Sequence, residues 1–126
     1  MRLLLDTHIF LWIVSAADRI GLQTRAALRD PNNERIVSAA SVWEIAIKSA
    51  AGRLDFPLDD LDAVLTQIAA TTLPISTAHA LAAGALPRHR NDRFDRMLVA
   101  QARTDGLFLV TVDPALSRYD VPRLVN

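Results

Sequence analysis

Four acidic residues occupy positions of this 126-residue chain where carboxylates are unusual. Asp6 and Asp113 follow apolar runs, and Glu44 and Asp95 lie inside segments rich in apolar residues. A carboxylate in such a place is costly unless it is hydrogen-bonded or bound to a cation. Carboxylate oxygens are the ligands that Mg²⁺ and Mn²⁺ prefer, and ions held in this way commonly catalyse reactions of phosphate esters. The four acids therefore predict a metal-dependent site that acts on phosphate.

Each acid taken alone also has an ordinary structural interpretation. Asp6 could cap the helix that follows it, because Asp is a favoured N-cap residue. Glu44 could pair with Lys48 four residues later along a helix. Asp113 precedes Pro114, which is a common turn or cap pattern. The functional interpretation depends on the four acids occurring together in the right places.

The apolar periodicity predicts an alternation of strands and helices along the whole chain. Strands are predicted at 2–5, 35–38, 71–75, 107–111 and 121–125. Helices are predicted at 8–15, 21–29, 41–51, 59–70, 76–86 and 94–104, with a short helix after Pro114. Such alternation is typical of an α/β fold in which right-handed crossovers build a parallel sheet. No linker or repeat interrupts it, so we expect a single domain over residues 1–126.

The predicted sheet would bring the acids together. Sites in open α/β sheets form beyond the carboxyl ends of the strands. Asp6 directly follows the first predicted strand and Asp113 lies two residues past the fourth, so both reach one edge if those strands are neighbours. Glu44 and Asp95 each lie near the start of a helix. Two carboxylates about 4 Å apart repel by roughly 4 kcal/mol at an effective dielectric near 20, so such a cluster requires protons or a cation.

Composition excludes several classes of protein. The 14 basic and 14 acidic side chains give a formal net charge of zero, which argues against binding nucleic acid by bulk charge alone. The absence of cysteine excludes thiolate catalysis and Cys-type zinc sites, and it fits a reducing compartment. No apolar stretch reaches the roughly 20 residues of a membrane span, and the N-terminus lacks a signal-peptide pattern. We therefore expect a cytoplasmic protein without a membrane association.

Four segments, in this order, resemble a known family. They are LLLDTHIFLW (3–12), VSAASVWEIAIKSAAGRL (37–54), HRNDRFDRMLVAQA (89–102) and LFLVTVDPAL (107–116). Together they resemble the PIN-domain ribonucleases, and within them the VapC-type toxins of bacterial toxin–antitoxin pairs. The resemblance implies a three-layer α/β/α sandwich with a central parallel sheet. It also implies an endoribonuclease activity that depends on Mg²⁺ or Mn²⁺.

The resemblance also implies which residues do the chemistry. The catalytic and metal-binding acids would be Asp6, Glu44, Asp95 and Asp113. The third is placed on Asp95 rather than on Asp92, which suits a helix cap. Relatives commonly read Asp-Pro-Phe-Asp here, whereas Arg93 replaces the proline in this chain, so the shape of the preceding loop is open.

The implied mechanism uses a metal-bound water and no histidine. The metal would be held mainly by Asp6 and Asp95, and it would direct the water at a phosphodiester to leave 5′-phosphate and 3′-hydroxyl ends. Thr7 and Thr111 are expected to hydrogen-bond the carboxylates. Arginines beside the acids could bind the RNA backbone or form a solvated surface, and these are Arg90, Arg93 and Arg96.

The first predicted helix carries more apolar residues than one face can bury, from Ile9 to Val14. It could be an ordinary two-sided core helix. The resemblance implies instead that a helix of an antitoxin covers part of it, with an antitoxin arginine reaching the acids, and that the chain forms a homodimer. Two alternatives stay open: a housekeeping PIN-domain nuclease without an antitoxin, and an inactive RNA- or protein-binding module. An upstream gene for a small helix-bearing protein would favour the toxin.

Overall fold

A parallel sheet lies at the centre of the computed structural model, which describes residues 1–89 and 91–126. Its strands are β1 (Arg2–Leu5), β2 (Glu34–Ser38), β3 (Ala70–Leu73), β4 (Phe108–Thr111) and β5 (Arg123–Val125). They lie in the order β3-β2-β1-β4-β5, and each neighbouring pair is parallel. Every strand predicted from the sequence is present. The predicted α/β class with a parallel sheet is confirmed.

The described residues form six α-helices, one for each of the six longer helices that the sequence predicts, and the short helix predicted after Pro114 is a 3₁₀ helix, Pro114–Arg118. The α-helices are α1 (Thr7–Ser15), α2 (Leu22–Arg29), α3 (Ala39–Ala50), α4 (Leu61–Gln67), α5 (Thr77–Ala85) and α6 (Arg93–Asp105). The helix α4 ends earlier than predicted because Ala69, with a φ of +54°, turns the chain into β3 at Ala70. Within the described ranges, no helix is long and apolar enough to cross a membrane.

Side chains of β1 alternate between two apolar layers, as expected for a strand that is covered on both faces. Leu4 packs with Leu98 of α6 in one layer, which also includes partly buried residues of α5. Leu3 and Leu5 pack on the other face with Phe10 of α1 and with residues of α2, α3 and α4. The predicted three-layer α/β/α arrangement is therefore confirmed.

Candidate active site

An acid-lined cleft of about 270 Å³ opens at the carboxyl edge of the sheet. The described residues that line it are Asp6, Thr7, His8, Glu44, Lys48, Asp92, Asp95, Val112, Asp113 and Pro114. All four acids selected from the sequence are in this set. They converge because β1 and β4 are neighbours, with Leu5 paired to Val110, so that the segments leaving both strands meet at one edge.

Asp6 is held by two different elements. It is 4 % exposed, and its Oδ1 accepts a hydrogen bond of 2.8 Å from the backbone N–H of Ile9, so it is the N-cap of α1. Its Oδ2 accepts a hydrogen bond of 3.0 Å from the backbone N–H of Val112, just beyond β4. The capping interpretation and the place in the cleft are thus both correct descriptions of this carboxylate. Its orientation is fixed by the backbone.

Glu44 is buried beside Asp6, at 6 % exposed, and is held by side chains. Its Oε1 accepts a hydrogen bond of 2.7 Å from the hydroxyl of Thr7, whose oxygen lies 3.0 Å from that of Ser41. Its Oε2 lies 2.7 Å from the ammonium of Lys48. The pair with Lys48 that the spacing allowed is present, but it lies in the cleft and is only partly exposed. Thr7 bonds to a cleft carboxylate in the geometry expected for a residue that orients a ligand.

The first turn of α6 contributes two acids with different local roles. Asp92 is exposed, and its Oδ1 accepts hydrogen bonds from the backbone N–H groups of Phe94 (2.8 Å) and Asp95 (3.2 Å). Asp92 is therefore the N-cap of α6. Asp95 is partly buried and lines the cleft from within the helix. Both acids reach the cleft, and the choice of Asp95 rather than Asp92 as a ligand stays a prediction.

The segment after β4 carries the fourth acid. Asp113 accepts a hydrogen bond of 2.9 Å from the backbone N–H of Ala115 through Oδ1, and it begins the short 3₁₀ helix Pro114–Arg118. The hydroxyl of the buried Thr111 accepts a hydrogen bond of 3.0 Å from the backbone N–H of Asp113. Thr111 thus fixes the backbone that carries the acid, whereas the expectation was a bond to a carboxylate.

The predicted RNA-binding arginines differ in their surroundings. Arg93 is exposed at the start of α6, and its guanidinium carbon lies 5.4 Å from the centre of the Trp43 ring and 5.3 Å from that of Phe94. Arg90 lies outside the described residues. An exposed guanidinium next to the acids is in a suitable place for an RNA backbone.

Arg96 makes structural contacts. Its Nη2 donates hydrogen bonds to the backbone carbonyls of Ala83 (2.9 Å) and Leu86 (3.2 Å) at the carboxyl end of α5. The last carbonyls of a helix lack partners within the helix, and an arginine is well suited to satisfy them. Arg96 therefore ties α6 to α5, and this geometry gives no support to its predicted contact with RNA.

Lys48 and His8 also line the cleft, and neither was predicted from the sequence to be a site residue. Lys48 brings a positive charge among five carboxylates, and His8 is exposed at the start of α1. The signal for Lys48 was its spacing of four residues from Glu44, which places both on one helix face. That spacing was interpreted as a structural alternative to a functional role of Glu44. The same spacing also brings Lys48 into the site that contains Glu44.

The donor set suits a hard divalent cation. Among the described residues, no three His, Asp or Glu side chains are close enough to hold one ion in their present orientations. However, each carboxylate has about four lone-pair positions, and the described contacts of Asp6 and Glu44 use two on each. The available donors are oxygens, the ligands that Mg²⁺ and Mn²⁺ prefer.

Comparison with known families agrees with this geometry. The PIN domain model matches residues 3–122, a range that contains all four acids and the whole cleft. The chain belongs to the PIN domain family. A sequence comparison with curated proteins gives no significant match. In this PIN domain the match begins within β1 and ends just before β5, so it includes both strands that bring Asp6 and Asp113 to the cleft.

Solved structures similar to this PIN domain include complexes from several bacteria. VapBC2 of Rickettsia felis, bound to a DNA fragment from its promoter, superposes with a TM-score of 0.71 at 14% identity, covering 99% of this chain and 98% of that chain. VapBC-1 of nontypeable Haemophilus influenzae gives 0.67 at 19% identity, with coverage of 99% and 98%. FitAcB of Neisseria gonorrhoeae gives 0.62 at 18% identity, with coverage of 98% and 94%. At these identities the likeness establishes the shared fold.

Proposed function

We propose that this PIN domain is a metal-dependent endoribonuclease and the toxin of a toxin–antitoxin pair. PIN domains are generally nucleases. The observation that carries the proposal is the meeting of four acids, from separate parts of the chain, around one cleft; they are Asp6, Glu44, Asp95 and Asp113. The VapBC and FitAcB complexes with the same fold favour the toxin over a housekeeping nuclease.

The reaction is hydrolysis of an RNA phosphodiester. The oxygen of a water forms a bond to phosphorus, the bond to the 3′ oxygen breaks, and that oxygen takes up a proton, which leaves 5′-phosphate and 3′-hydroxyl ends. A Mg²⁺ or Mn²⁺ ion would supply the Lewis acid for this step. Asp6 and Asp95 would hold it, with Glu44 and Asp113 beside them. Thr7 keeps Glu44 turned into the cleft through its bond of 2.7 Å.

Electrostatics link RNA binding to the cation. Five carboxylates line the cleft, and they repel a phosphate backbone until positive charge is brought in. Arg93, exposed at the rim, is assigned to the RNA backbone near the cleft. Arginine suits this role because its planar fork matches phosphate oxygens. The part proposed for Arg90 stays a prediction.

The direct test of the nuclease is cleavage of RNA by the purified chain in Mg²⁺, in Mn²⁺ and in EDTA. We expect cleavage with either metal and none in EDTA, and sequencing of the RNA 5′ ends would locate the cut sites. Cleavage that persists in EDTA would overturn the metal mechanism. A folded protein without activity in either metal would favour the inactive binding module. Cleavage that does not arrest growth on expression would favour the housekeeping nuclease.

A groove on the side of α1 and α2 supports the antitoxin partner. It measures about 430 Å³ and has apolar walls that include Ile13 of α1 and Ile68 after α4. Three arginines also line it; they are Arg25, Arg29 and Arg35. Arg25 and Arg35 donate hydrogen bonds to the backbone carbonyls of Ile20 and Leu28, respectively. Arg29 is exposed. The chemistry that fits is a helix or extended segment with apolar side chains and acidic neighbours, and we assign the groove to such a part of the antitoxin.

Reversal of one charge tests this assignment. Arg29→Glu is expected to weaken binding of the co-expressed product of the adjacent gene by about 10- to 100-fold, because like charges would then face each other. Cleavage of RNA by the free chain should be unchanged. The measurement is calorimetric titration of the purified pair.

A matched control is Arg103→Glu. Arg103 is also an exposed arginine in the last turn of a helix, in α6, and it lines a different cavity. Both variants therefore lose the same favourable interaction with a helix carboxyl end. Equal affinities for the Arg29 and Arg103 variants would place the antitoxin elsewhere.

A further inference from the structure

Lys48 is the only lysine of the chain, and it lies in the acid cleft. Its Nζ is 2.7 Å from Oε2 of Glu44, and the side chains of the two residues are 35% and 8% exposed. Surface pairs at this helical spacing commonly have both partners in water. Here the anion is inside the cleft and the cation is at its mouth. The Lys48 side chain is therefore partly open to solvent while it contacts a buried carboxylate.

The two contacts of Glu44 differ in how easily they are released. Thr7 is buried at 5 % exposed, and its hydroxyl lies between Glu44 (2.7 Å) and Ser41 (3.0 Å). Lys48 ends in an ammonium on a flexible four-carbon stem, with three donors that rotate freely. Rotation of this side chain toward solvent releases Oε2 without disturbing the backbone or any other described contact of Glu44. Lys48 is thus the contact that can be exchanged.

We propose, on the basis of the nuclease function proposed above, that Lys48 is a substrate-contacting residue. While the cleft is without a cation, its ammonium neutralises Glu44. A divalent cation held by the acids would repel the ammonium, so that Lys48 would turn outward and donate to a non-bridging oxygen of the scissile phosphate. An ammonium binds phosphate well as a point charge. Among the described residues that line the cleft, Lys48 is the only lysine or arginine.

The test compares the wild type with Lys48→Gln in two measurements. The first is binding of a single-stranded oligoribonucleotide over a range of salt concentrations with Ca²⁺, which takes the same oxygen ligands with a looser geometry. Loss of one phosphate contact should lower the slope of log affinity against log salt by about 0.7. The second is cleavage in Mn²⁺, where kcat/KM should fall by about 10- to 100-fold, as for loss of a charged hydrogen bond. Calorimetry should show Mn²⁺ binding as tight as in the wild type or tighter.

Arg2→Gln is the matched control. Arg2 also forms an ion pair with a glutamate, Glu34, at 3.5 Å, but this pair is about half exposed and lies at the start of β1 and β2, away from the carboxyl edge. The control removes the same charge and should keep the wild-type salt slope and kcat/KM. It separates a contact with the scissile phosphate from a general effect of net charge.

Other results would contradict either the proposed role of Lys48 or the nuclease function on which it rests. Tighter Mn²⁺ binding by Lys48→Gln with an unchanged salt slope and unchanged kcat/KM would show that Lys48 is only a counter-ion of Glu44. If circular dichroism shows Lys48→Gln to be unfolded, Lys48→Arg is used in its place. This variant is expected to keep the slope of log affinity against log salt and to have a several-fold lower kcat. A wild-type kcat for Lys48→Arg would overturn the proposal. A wild type that neither binds nor cleaves RNA with metal would overturn the nuclease function itself.

Discussion

Asp95→Asn is expected to lower RNA cleavage by about 10³-fold or more, because removal of a ligand to a catalytic ion forfeits several kcal/mol of transition-state stabilisation. The fold should persist. Asp95 lies in the first turn of α6, where an acid stabilises a helix by about 1 kcal/mol or less, and the N-cap of that helix is Asp92. Cleavage rates in Mn²⁺ and thermal unfolding of the same preparations give the two readouts.

Two controls separate the cleft from the helix. Asp62→Asn alters an exposed acid in the first turn of α4, outside the cleft, and should retain full activity. Asp92→Ala removes the cap of α6, which should cost about 1 kcal/mol of unfolding free energy with only a small effect on cleavage. Loss of cleavage in Asp92→Ala together with activity in Asp95→Asn would move the ligand role to Asp92.

Asp6→Ala should affect activity and stability together. The variant loses the acid at the centre of the proposed site, so cleavage should become undetectable. It also loses the N-cap of α1 and leaves the backbone N–H of Val112 without its acceptor. A lost cap costs about 1 kcal/mol and an unpaired, partly buried N–H about 1 to 3 kcal/mol, so the free energy of unfolding should fall by about 2 to 4 kcal/mol. Urea unfolding measures this change.

Ser76→Ala is the control for the cap alone. Ser76 caps α5 through the backbone N–H of His79, and it lies outside the cleft. Its loss should cost about 1 kcal/mol and leave cleavage unchanged. If Asp6→Ala were no less stable than Ser76→Ala, the bond to Val112 would contribute nothing. Retained cleavage by Asp6→Ala would exclude Asp6 from the mechanism.

The parallel sheet and the edge at which the acids lie could be predicted because they follow from short, local patterns in the sequence. Short apolar runs alternating with amphipathic segments indicate a parallel sheet, and a parallel sheet collects the residues that follow its strands at one edge. Asp6 and Asp113 were therefore expected to meet at one edge if their strands are neighbours, and the observed strand order meets this condition. Glu44 and Asp95 were selected because each lies near the start of a helix within an apolar segment, and the resemblance implies the same four acids.

The side-chain contacts that could not be predicted are those that depend on residues from other parts of the chain. The charge cluster around Arg93 suggested that Arg96 faces RNA, but the carbonyls that it satisfies belong to the end of α5. Likewise, Lys48 appeared to be a rival explanation for Glu44, since sequence spacing does not reveal which end of an ion pair faces solvent. The turn at Ala69, with its positive φ, gave no glycine signal and made α4 shorter than predicted.

The position of Lys48 at the mouth of the cleft has a practical consequence. Since the chain has no other lysine, an amine-reactive dye has two targets, the N-terminal amino group and this side chain. The N-terminus lies beside Asn33, at the opposite edge of the sheet. A fluorophore attached to the ε-amino group would therefore report on events in the cleft without the introduction of a cysteine.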